Sequence, residues 1–404
     1  MDRGRGNAGA QIVKRVLSLS TLYPNASTPR FGIFVARSLE ALAARGDWHV
    51  TLVNPIGVPP ILFGRYRALA EAAVDGVENG VEVHRPKFTL IPRLGARINP
   101  GAIARKVLPL AERLHAETPF DLVDAQFFYP DGPAAAWIAD RLGLPFSIKA
   151  RGADISYWGG KDFAEDQMLD AADRAAGLLA VSRQIASDMA DLGMDRRKIT
   201  IHYTGLDRDL FRPMAYEGMR RTLGDALGIS LPEQKPLLCC VGALIERKGQ
   251  DFAIGALASI PDAHLMLVGK GEDEAHLRRL AEDLRVADRV HFVGLLDHDM
   301  LPVVLSASNA MVLPTRSEGL ANAWVEALAC GTPLVTTDVG GVRELVTSPD
   351  AGVLVERTTD AIAAGIRRVL DNPIPQERVA ATVAQFDWKA NGERLADYYD
   401  RLIA

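Results

Sequence analysis

The 404-residue sequence is poor in cysteine, which excludes a fold held together by disulfides. It contains only Cys239, Cys240 and Cys330 and has no Cys-x-x-Cys pattern typical of metal sites. Cys239 and Cys240 are adjacent in an apolar run, so they should point to opposite faces of a strand, a poor geometry for a disulfide. We expect buried structural thiols in a reducing compartment, and no metal site.

The sequence also lacks long apolar runs and a strong excess of one charge. No run approaches the ~18 residues of a membrane-spanning helix. The stretch VLSLSTLYP, after the basic start MDRGRGNAGAQIVKR, is too short for a signal peptide and is better interpreted as a first strand. We therefore place the protein in the cytoplasm. The formal net charge of −5 gives no general attraction to nucleic acid, so no nucleic-acid partner is expected.

What the sequence does contain is typical of an α/β protein with two domains. Apolar residues make up 48% of the chain, aromatic residues only 6%, and the length exceeds that of one ordinary domain. Short apolar runs alternate with helical patterns, and the alternation starts again near Leu237, which predicts two doubly wound parallel sheets. We predict an N-terminal domain over residues 1–210, a C-terminal domain over 211–385, and a last segment, 386–404, that packs back on the first domain.

The predicted strands and helices are short and regularly spaced. The predicted strands are Val16–Ser20, Val50–Val53, Val81–Val83, Leu122–Ala125, Pro145–Ala150, Gly177–Val181, Ile199–His202, Leu237–Val241, Ala263–Val268, Val290–Val293, Ala310–Leu313, Leu334–Thr336 and Val353–Val355. Predicted helices include Phe31–Ala44, Ala102–Glu117, Pro133–Leu142, Gly249–Ser259, Glu272–Leu284, His298–Ser306, Ala323–Cys330 and Trp388–Ile403. Ligands of such sheets bind beyond the carboxyl ends of the strands, so two facing sheets predict a cleft between them.

Two acidic residues eight positions apart mark the second domain. In SEGLANAWVEALACGTPLV, Glu318 lies in the loop before a helix and Glu326 lies about one turn into it. A carboxylate in an apolar helix is costly without a partner, and it accepts hydrogen bonds well from a vicinal diol. The free amides at the helix start favour an anion. A ligand with hydroxyls at both ends and a phosphate between them, such as a nucleotide sugar, fits this pattern.

A second loop supplies the cations that a diphosphate needs. The strand Leu237–Val241 leads into GALIERKGQ, which places Arg247 and Lys248 just before a predicted helix. Two cations at a strand-to-helix turn can neutralise a diphosphate, and arginine can bind it through two hydrogen bonds. Alone, each loop is also compatible with a surface turn or a capping acid. Their combination on strands of one sheet favours a binding site.

These motifs resemble those of retaining glycosyltransferases of the GT-B fold, in the large family 4 group. EGLANAWVEALACGTPLVTTDVGG is similar to the family's E-x7-E signature, and VGALIERKG resembles its phosphate-binding loop. SLSTLYPNASTPRFGIFVARSLEAL and AVSRQIASDMADLGMDRRKITIHYTGLDRDLFRP resemble the start and the end of its first domain. The resemblance covers almost the whole chain, and it implies two Rossmann-like domains that face each other across a cleft, with a C-terminal helix that crosses back.

The resemblance also implies roles for individual residues, all of which bind a nucleotide sugar as co-substrate. Glu318, Lys248 and Arg247 would be catalytic: Glu318 would contact the hydroxyls of the donor sugar, and the two cations would stabilise the departing diphosphate. Glu326 would bind the ribose diol. The other implied donor contacts are the amides of Gly319, Leu320 and Ala321 with Asn322 at the helix start, main-chain groups around Gly294 and Leu296 beside the base, and Gly32 in the first domain. The family implies neither a metal ion nor a cofactor, because side chains and a helix end take their place.

Two positions depart from the family pattern. The arginine that often follows VG is Ala243 here, and Arg247 is the candidate to compensate for it. The family's HG-x-D turn is RGAD here, so that Arg151 replaces the histidine and Asp154 keeps the acid. Since arginine is no base at neutral pH, Arg151 would bind the leaving phosphate, an anionic sugar or the acceptor. A purely structural ion pair between Arg151 and Asp154 is the alternative.

A basic segment with interleaved apolar residues bears on the acceptor. It contains Arg85, Lys87, Arg93, Arg97, Arg105, Lys106 and Arg113, with Glu112 as its one acid, and with Phe88, Leu90, Ile91 and Leu94 between them. A solvated face is one interpretation, and a patch that meets anionic lipid or a charged acceptor is the other. Ile61–Tyr66 and Tyr157–Trp158 could add apolar anchors. This favours a lipid-linked or polysaccharide acceptor in cell-envelope assembly, with contact at the inner face of the membrane.

The sequence therefore predicts a retaining, metal-independent hexosyltransferase that uses a GDP-, UDP- or ADP-sugar. Two alternatives remain open at this point. A nucleotide-sugar 2-epimerase of GT-B shape would need acids and histidines for proton abstraction, where this chain has Arg151. A non-catalytic sugar-nucleotide binder would share every binding residue and differ only in lacking turnover. A periplasmic sugar-binding protein is disfavoured, because an export signal and an aromatic-rich cleft both look absent.

Overall fold

The computed structural model describes residues 13–91, 95–214 and 217–404. The chain divides into two compact units. Unit 1 consists of the residues up to Val181, Ile185–Gly205 and Trp388–Ala404, and unit 2 of Ser182–Gln184 and Leu206–Asp387. The boundaries predicted from the sequence, after residues 210 and 385, lie a few residues from these. Of the predicted segments, residues 1–12 at the start, Arg93 and Leu94 in the basic segment, and residues 215–216 at the junction lie outside the described residues.

In unit 1, apolar runs form strands and amphipathic stretches form the helices that cover them. The strands are β1 (Lys14–Leu19), β2 (Trp48–Val53), β3 (Ile56–Val58), β4 (Gly76–Glu78), β5 (Val81–His84), β6 (Lys87–Thr89), β7 (Leu122–Ala125), β8 (Phe146–Ala150), β9 (Gly177–Ala180) and β10 (Ile199–Ile201). The helices are α1 (Ile33–Ala43), α2 (Arg65–Glu71), α3 (Asn99–Glu117), α4 (Asp131–Leu142), α5 (Asp162–Arg174) and α6 (Arg183–Asp191).

The main sheet of unit 1 has the order β10-β9-β8-β7-β1-β2-β5-β4. Its strands are parallel except for β4, which runs antiparallel to β5. β3 and β6 form a separate parallel pair. Strands β7, β8 and β9 are buried at every residue, as expected for a parallel sheet covered on both faces. The chain order reverses between β1 and β7, so the carboxyl ends of these two strands form the switch point of this sheet.

Unit 2 repeats the same architecture with a smaller sheet. Its strands are β11 (Leu237–Val241), β12 (His264–Val268), β13 (Val290–Gly294), β14 (Ala310–Leu313), β15 (Leu334–Thr337) and β16 (Gly352–Val355). Its helices are α7 (Met219–Leu227), α8 (Gln250–Leu257), α9 (Glu274–Asp283), α10 (Leu301–Ala307), α11 (Asn322–Ala329), α12 (Thr359–Asp371) and α13 (Gln376–Ala381). The sheet order is β13-β12-β11-β14-β15-β16, with all pairs parallel, and the switch point lies between β11 and β14.

The last helix, α14 (Trp388–Ile403), belongs to unit 1 as the sequence predicted. It packs along α1, where the buried Ser38 hydroxyl donates to the Asn391 amide oxygen at 2.8 Å. Tyr399 meets Trp48 edge to face, with ring centroids 5.4 Å apart. The first sheet therefore receives part of its core from residues that follow the whole of unit 2.

All three cysteines are buried free thiols, as predicted. Burial raises the pKa of the Cys330 thiol to about 12, which keeps it protonated and unreactive. Among the described residues, we find no helix that combines the length and the hydropathy needed to cross a membrane.

Candidate functional site

The cation-bearing loop of unit 2 begins where β11 ends, at the switch point of the sheet. A 3₁₀ turn, Glu246–Lys248, is followed by Gly249, which has a φ of +76° and starts α8. A Cβ on Gly249 would lie 2.3 Å from the carbonyl oxygen of Pro314, so only glycine fits between these two loops. The sequence thus brings the loop after β11 against the loop after β14.

Glu318 is the centre of the ion cluster formed by these two loops. Its Oε1 accepts hydrogen bonds from Lys248 Nζ, from Arg247 Nη1 at 3.1 Å and from the hydroxyl of Thr315 at 3.2 Å. The side chains of Lys248 and Glu318 are only 13% and 12% exposed, whereas Arg247 is 42% exposed. Two cations on one carboxylate leave an excess positive charge at this edge of the sheet, which favours an anionic ligand.

Glu326 differs from Glu318, because it has no protein partner. It lies in the middle of α11, where Trp324, Val325, Ala327, Leu328 and Ala329 around it are all buried. Within the part of the chain that the structure describes, its carboxylate accepts no hydrogen bond and forms no ion pair. Partial burial without a partner raises the pKa of this carboxyl to about 7. A half-buried acceptor of this kind is available to hydroxyl groups of a ligand.

Between the two acids runs a stretch of unused backbone donors. In the described chain, the amides from Glu318 to Ala323 donate no hydrogen bond to protein acceptors. This stretch contains Gly319, Leu320, Ala321 and Asn322, of which Ala321 caps α11 without a side-chain hydrogen bond and Asn322 is the first helical residue. Together with the helix dipole, these donors form a site for an anion or for sugar hydroxyls.

The loop after β15 fixes the shape of this stretch. Gly340 has a φ of +55°, and a Cβ there would lie 2.0 Å from the carbonyl oxygen of Glu318. The next residue, Gly341, donates its amide to the carbonyl oxygen of Gly319 at 2.6 Å. The loop after β15 therefore packs directly against the predicted donor loop. Only glycine fits at position 340, because a side chain there would collide with the Glu318 carbonyl oxygen.

The two predicted base contacts lie at the end of β13. Gly294 is the last residue of that strand, with a φ of +69°, and its carbonyl oxygen accepts the Gly269 amide at 2.8 Å. A Cβ on Gly294 would lie 3.5 Å from Cε of Lys270, so this lysine is a close neighbour that the sequence analysis did not single out. Leu296 follows in the partly exposed loop before α10. The assignment of Gly294 and Leu296 to the base stays a prediction.

In unit 1, Gly32 is fixed by close packing of the backbone. It is the N-cap of α1 with a φ of +74°, and a Cβ there would come within 2.5 Å of the carbonyl carbon of Leu22. Any other residue would push the start of α1 away from the end of β1. Its predicted contact with the donor stays a prediction.

Arg151 follows β8 and reaches the switch point of the first sheet. Its Nε donates to the carbonyl oxygen of Gln126 and its Nη2 to the Gln126 side-chain oxygen, both at 2.6 Å. The guanidinium also stacks on Phe34 of α1, 4.8 Å from the ring centroid. Burial lowers the pKa of Arg151 to about 10, so the side chain remains charged at neutral pH.

Asp154 attracts the Arg151 charge, but among the described residues its carboxylate makes its hydrogen bonds with backbone amides and none with the Arg151 guanidinium. Its buried carboxylate accepts backbone amides of Phe128, Arg151, Gly152 and Ile155, at 2.8 to 3.2 Å. The Arg151 guanidinium donates to Gln126 instead. Asp154 therefore holds the turn after β8 in shape, because a carboxylate that accepts four amides replaces backbone pairing there. Its assignment to the acceptor or phosphate side remains untested.

Three residues at the candidate site of unit 2 were missed by the sequence analysis. Thr315 donates to Glu318, Thr337 donates to the carbonyl oxygen of Thr315, and Gly340 supports the donor loop. Thr315 lies only three residues before Glu318, and this short spacing could have indicated a hydrogen bond between the two side chains. A further correction concerns Arg85, which was predicted in the basic segment. It is buried and bonds to Val74, Pro24 and Glu78.

The described residues contain no group of three or more His, Cys, Asp or Glu side chains that could hold a metal ion.

Comparisons with known proteins match both units to one enzyme class. Residues 228–385 match the family model for glycosyl transferases group 1, and residues 32–205 match the model for a glycosyl transferase 4-like domain. D-inositol 3-phosphate glycosyltransferase 2 of Catenulispora acidiphila is 30% identical over 323 residues, which cover 72% of this chain and 73% of that protein.

A further relative is the GDP-mannose-dependent monoacylated alpha-(1-6)-phosphatidylinositol monomannoside mannosyltransferase of Corynebacterium glutamicum. It is 34% identical over 211 residues, and the match covers 48% of this chain and about half, 54%, of that relative. Among solved structures, sucrose-phosphate synthase from Thermosynechococcus elongatus superimposes with a TM-score of 0.75 at 23% identity, covering 96% of this chain and 99% of that one. The chain thus has the GT-B fold and belongs to the glycosyl transferases group 1 family, as a glycosyltransferase of the family 4 type.

Proposed function

We propose that this glycosyltransferase moves a hexose-type sugar from a nucleotide-diphosphate sugar to a hydroxyl acceptor, with retention of the anomeric configuration. The observation that carries the proposal is the cluster of Lys248 and Arg247 on Glu318 at the switch point of unit 2. It stands beside a run of unused amides, so that one loop pair offers cations, backbone donors and a carboxylate. A sugar diphosphate needs all three.

The cations suit the leaving group of the reaction. When the bond between the anomeric carbon and the diphosphate oxygen breaks, negative charge grows on the diphosphate. Lys248 is held by Glu318, so it is already oriented and needs little rearrangement when an anion arrives. Arg247, the more exposed of the two, is free to approach a phosphate with a second pair of donors. We assign it the role of the arginine missing at Ala243.

Glu326 suits the other end of the donor. An unpartnered carboxylate with two oxygens can accept both hydroxyls of a vicinal diol, such as that of ribose. Binding the diol would also relieve the cost of keeping the carboxylate half-buried, since hydrogen bonds to the ionised form favour it. The amides of Gly319, Leu320 and Ala321 are left for the sugar and the distal phosphate.

The reaction we propose needs no protein base and no metal ion. The acceptor hydroxyl attacks the anomeric carbon from the face that the diphosphate leaves. Its proton passes to the departing phosphate oxygen as the new glycosidic bond forms. Arg151, a cation at neutral pH, is suited to binding an anion on the acceptor or phosphate side and unsuited to proton abstraction. This chemistry disfavours a 2-epimerase, which must remove a proton from carbon.

For the acceptor, we propose a lipid-linked or polysaccharide hydroxyl, in cell-envelope assembly on the cytoplasmic side of the membrane. One supporting fact is the name of the Corynebacterium relative, which acts on a phosphatidylinositol mannoside with GDP-mannose. The proposal specifies a nucleoside diphosphate as the donor's leaving group without specifying its base. GDP, UDP and ADP are therefore the ligands to compare.

The test is a thermal-shift screen with GDP, UDP and ADP and their sugars. We expect one base to raise Tm by several degrees, since a ligand that binds only the folded state stabilises it. The sugar form of that nucleotide is then incubated with an acceptor extract, and nucleotide release and the anomeric configuration of the product are measured. Release that depends on the acceptor supports transfer. Binding without release would identify a non-catalytic binder, and an epimerised donor sugar would identify an epimerase.

A further inference from the structure

A cavity in unit 1 has an unusual lining. Its volume is 860 Å³, and it opens between α2, the start of α3 and the turn before α5. The lining includes Phe63, Leu90, Ile91, Tyr157 and Trp158, with Arg65 as the only charged side chain among the described residues. A cavity with this lining is suited to a ligand that has an apolar part and a negatively charged group next to it.

The rim of this cavity exposes large apolar side chains that a soluble surface would normally bury. Ile61 is 78% exposed, Phe63 57% and Tyr157 58%. Leu62, Ile91 and Ile98 are also exposed, so three separate chain segments contribute to one patch. A single exposed leucine needs no explanation, whereas a contiguous apolar patch around a cavity marks a contact surface.

Cations outnumber acids around the rim, where the exposed Asp162 and Asp166 of α5 follow Lys161 and lie near Arg97. The described residues of the segments 61–67, 87–111 and 157–161 contain no Asp or Glu, although the chain as a whole carries a net charge of −5. Their cations are Arg65, Arg67, Lys87, Arg97, Arg105, Lys106 and Lys161. Lys161 lies over the Tyr157 ring at 4.5 Å, whereas Arg105 lines a separate cavity with Trp137 and Asp140. The patch is therefore apolar at its centre and cationic at its edge.

We call this surface the apolar–basic face, defined by Ile61, Leu62, Phe63, Ile91, Ile98 and Tyr157 with Arg65, Arg97 and Lys161. We propose that it docks on an anionic lipid bilayer. The aliphatic and aromatic side chains would enter the interface, where aromatic rings are favoured, and the cations would bind the lipid phosphates. The lipid-linked acceptor proposed above gives this contact a purpose, but the chemistry of the face is independent of the donor site.

Other occupants fit the face less well. Two copies of the chain would place like charges opposite each other across a twofold interface, which opposes association. A polysaccharide would stack on the aromatic rings, but it needs carboxylates or amides for its hydroxyls. The described lining offers Asn99 as its only amide, beside exposed Ile61 and Leu62, which a sugar cannot use.

The test is co-sedimentation of the full chain with vesicles of phosphatidylcholine, with and without phosphatidylglycerol. We expect binding only when phosphatidylglycerol is present, and weaker binding at high salt. The double variant Arg65→Gln/Arg97→Gln should lower the partition coefficient about 30-fold, since each cation near an anionic surface contributes about 1 kcal/mol. Ile61→Ser/Phe63→Ser should lower it about tenfold or more, because the inserted apolar area is lost.

Matched controls change the same chemistry elsewhere in unit 1. Arg196→Gln/Arg197→Gln removes two exposed cations and Val77→Ser removes an exposed aliphatic side chain, and both should bind vesicles like wild type. Every variant should keep the thermal shift with nucleotide, which separates failure of this proposal from failure of the donor site. Equal losses in the control variants, or no preference for phosphatidylglycerol, would overturn the proposal. Concentration-dependent dimerisation that Ile61→Ser/Phe63→Ser abolishes would assign the face to self-association instead.

Discussion

The switch points of the two sheets occupy equivalent places in the two units and have different chemistry. At the ends of β11 and β14, Lys248 and Arg247 meet a carboxylate that is still partly open to ligand. At the ends of β1 and β7, Arg151 meets the neutral oxygens of Gln126, and the nearby acid Asp154 is consumed by backbone amides. Equivalent positions of a repeated fold thus carry a charged cluster in one unit and a neutral clamp in the other.

The difference suggests a division of labour. A carboxylate that holds two cations can exchange them for a phosphate, because both cations also form charge-assisted hydrogen bonds with phosphate oxygens. The Arg151 guanidinium is held in one orientation by the carbonyl and side-chain oxygens of Gln126. Its remaining N–H donors can therefore bind a ligand without rearrangement. We expect unit 2 to respond to the donor and unit 1 to position what reacts with it. Substitutions at the two switch points should therefore change different kinetic constants.

The largest effect is expected from Lys248→Ala, which removes the less exposed of the two cations on Glu318. Loss of one electrostatic contact to a leaving group typically lowers kcat about 10²- to 10³-fold. Glu318→Gln should act in the same direction, because it releases both cations from their orientation. The measurement is steady-state transfer with the donor found by thermal shift. Lys235→Ala, which removes a surface lysine paired with Asp262, is the matched control. Near wild-type turnover by Lys248→Ala would reject its assignment.

An intermediate effect is expected from Glu326→Gln, and it depends on pH. The folded-state pKa of about 7 lies above the ordinary 4.5, so the unfolded chain loses this proton first. Glu326 therefore costs stability progressively as pH rises from 4.5 to about 7, and the full cost remains above that. The glutamine variant should melt a few degrees higher near pH 8, a gain on the order of 2 kcal/mol, and unchanged near pH 4. Thermal melts at both pH values measure this.

The same variant should lose the stabilisation by nucleotide, since glutamine offers one acceptor oxygen in place of two. Glu377→Gln, at an exposed position on α13, serves as the control and should change neither property. A Glu326→Gln protein that still gains the wild-type shift with nucleotide would remove Glu326 from the donor site and weaken the contrast between the two acids.

The smallest effect is expected from Arg151→Lys in unit 1. Lysine keeps the charge but cannot donate to both oxygens of Gln126 at once, so its ammonium is less well directed. We expect an increase in acceptor KM of about tenfold, which corresponds to 1.4 kcal/mol, with the nucleotide thermal shift unchanged. If Arg151 were purely structural, Tm would fall and the acceptor KM would not change. Full kinetics against acceptor at saturating donor distinguish the two.

The strands and the positions of the cations were predictable, because short buried runs and loop chemistry are local properties. Leu122–Ala125, Leu237–Val241 and Ala310–Leu313 were predicted with the bounds that the structure has. The pair β3 and β6 was missed, since three-residue strands carry too little periodicity.

The direction of side chains could not be predicted from the sequence. Arg151 and Asp154 were considered as an ion pair because their charges are opposite and close in sequence. In the fold, four amides converge on Asp154 and leave the guanidinium to Gln126, and no sequence pattern encodes that competition. Arg85 similarly counted as a surface cation until the buried carbonyls of Val74 and Pro24 were known.

The place of α14 has a consequence for how the protein is made. Unit 1 begins to emerge from the ribosome first, yet Tyr399 and Asn391, which pack on Trp48 and Ser38, follow residues 206–387. During translation, one face of the first sheet stays exposed until α14 has been synthesised, whereas unit 2 can fold as soon as its own residues are complete. Chaperone dependence in cells should therefore track the first half of the chain, and expression as two separate halves should yield a well-behaved second half only.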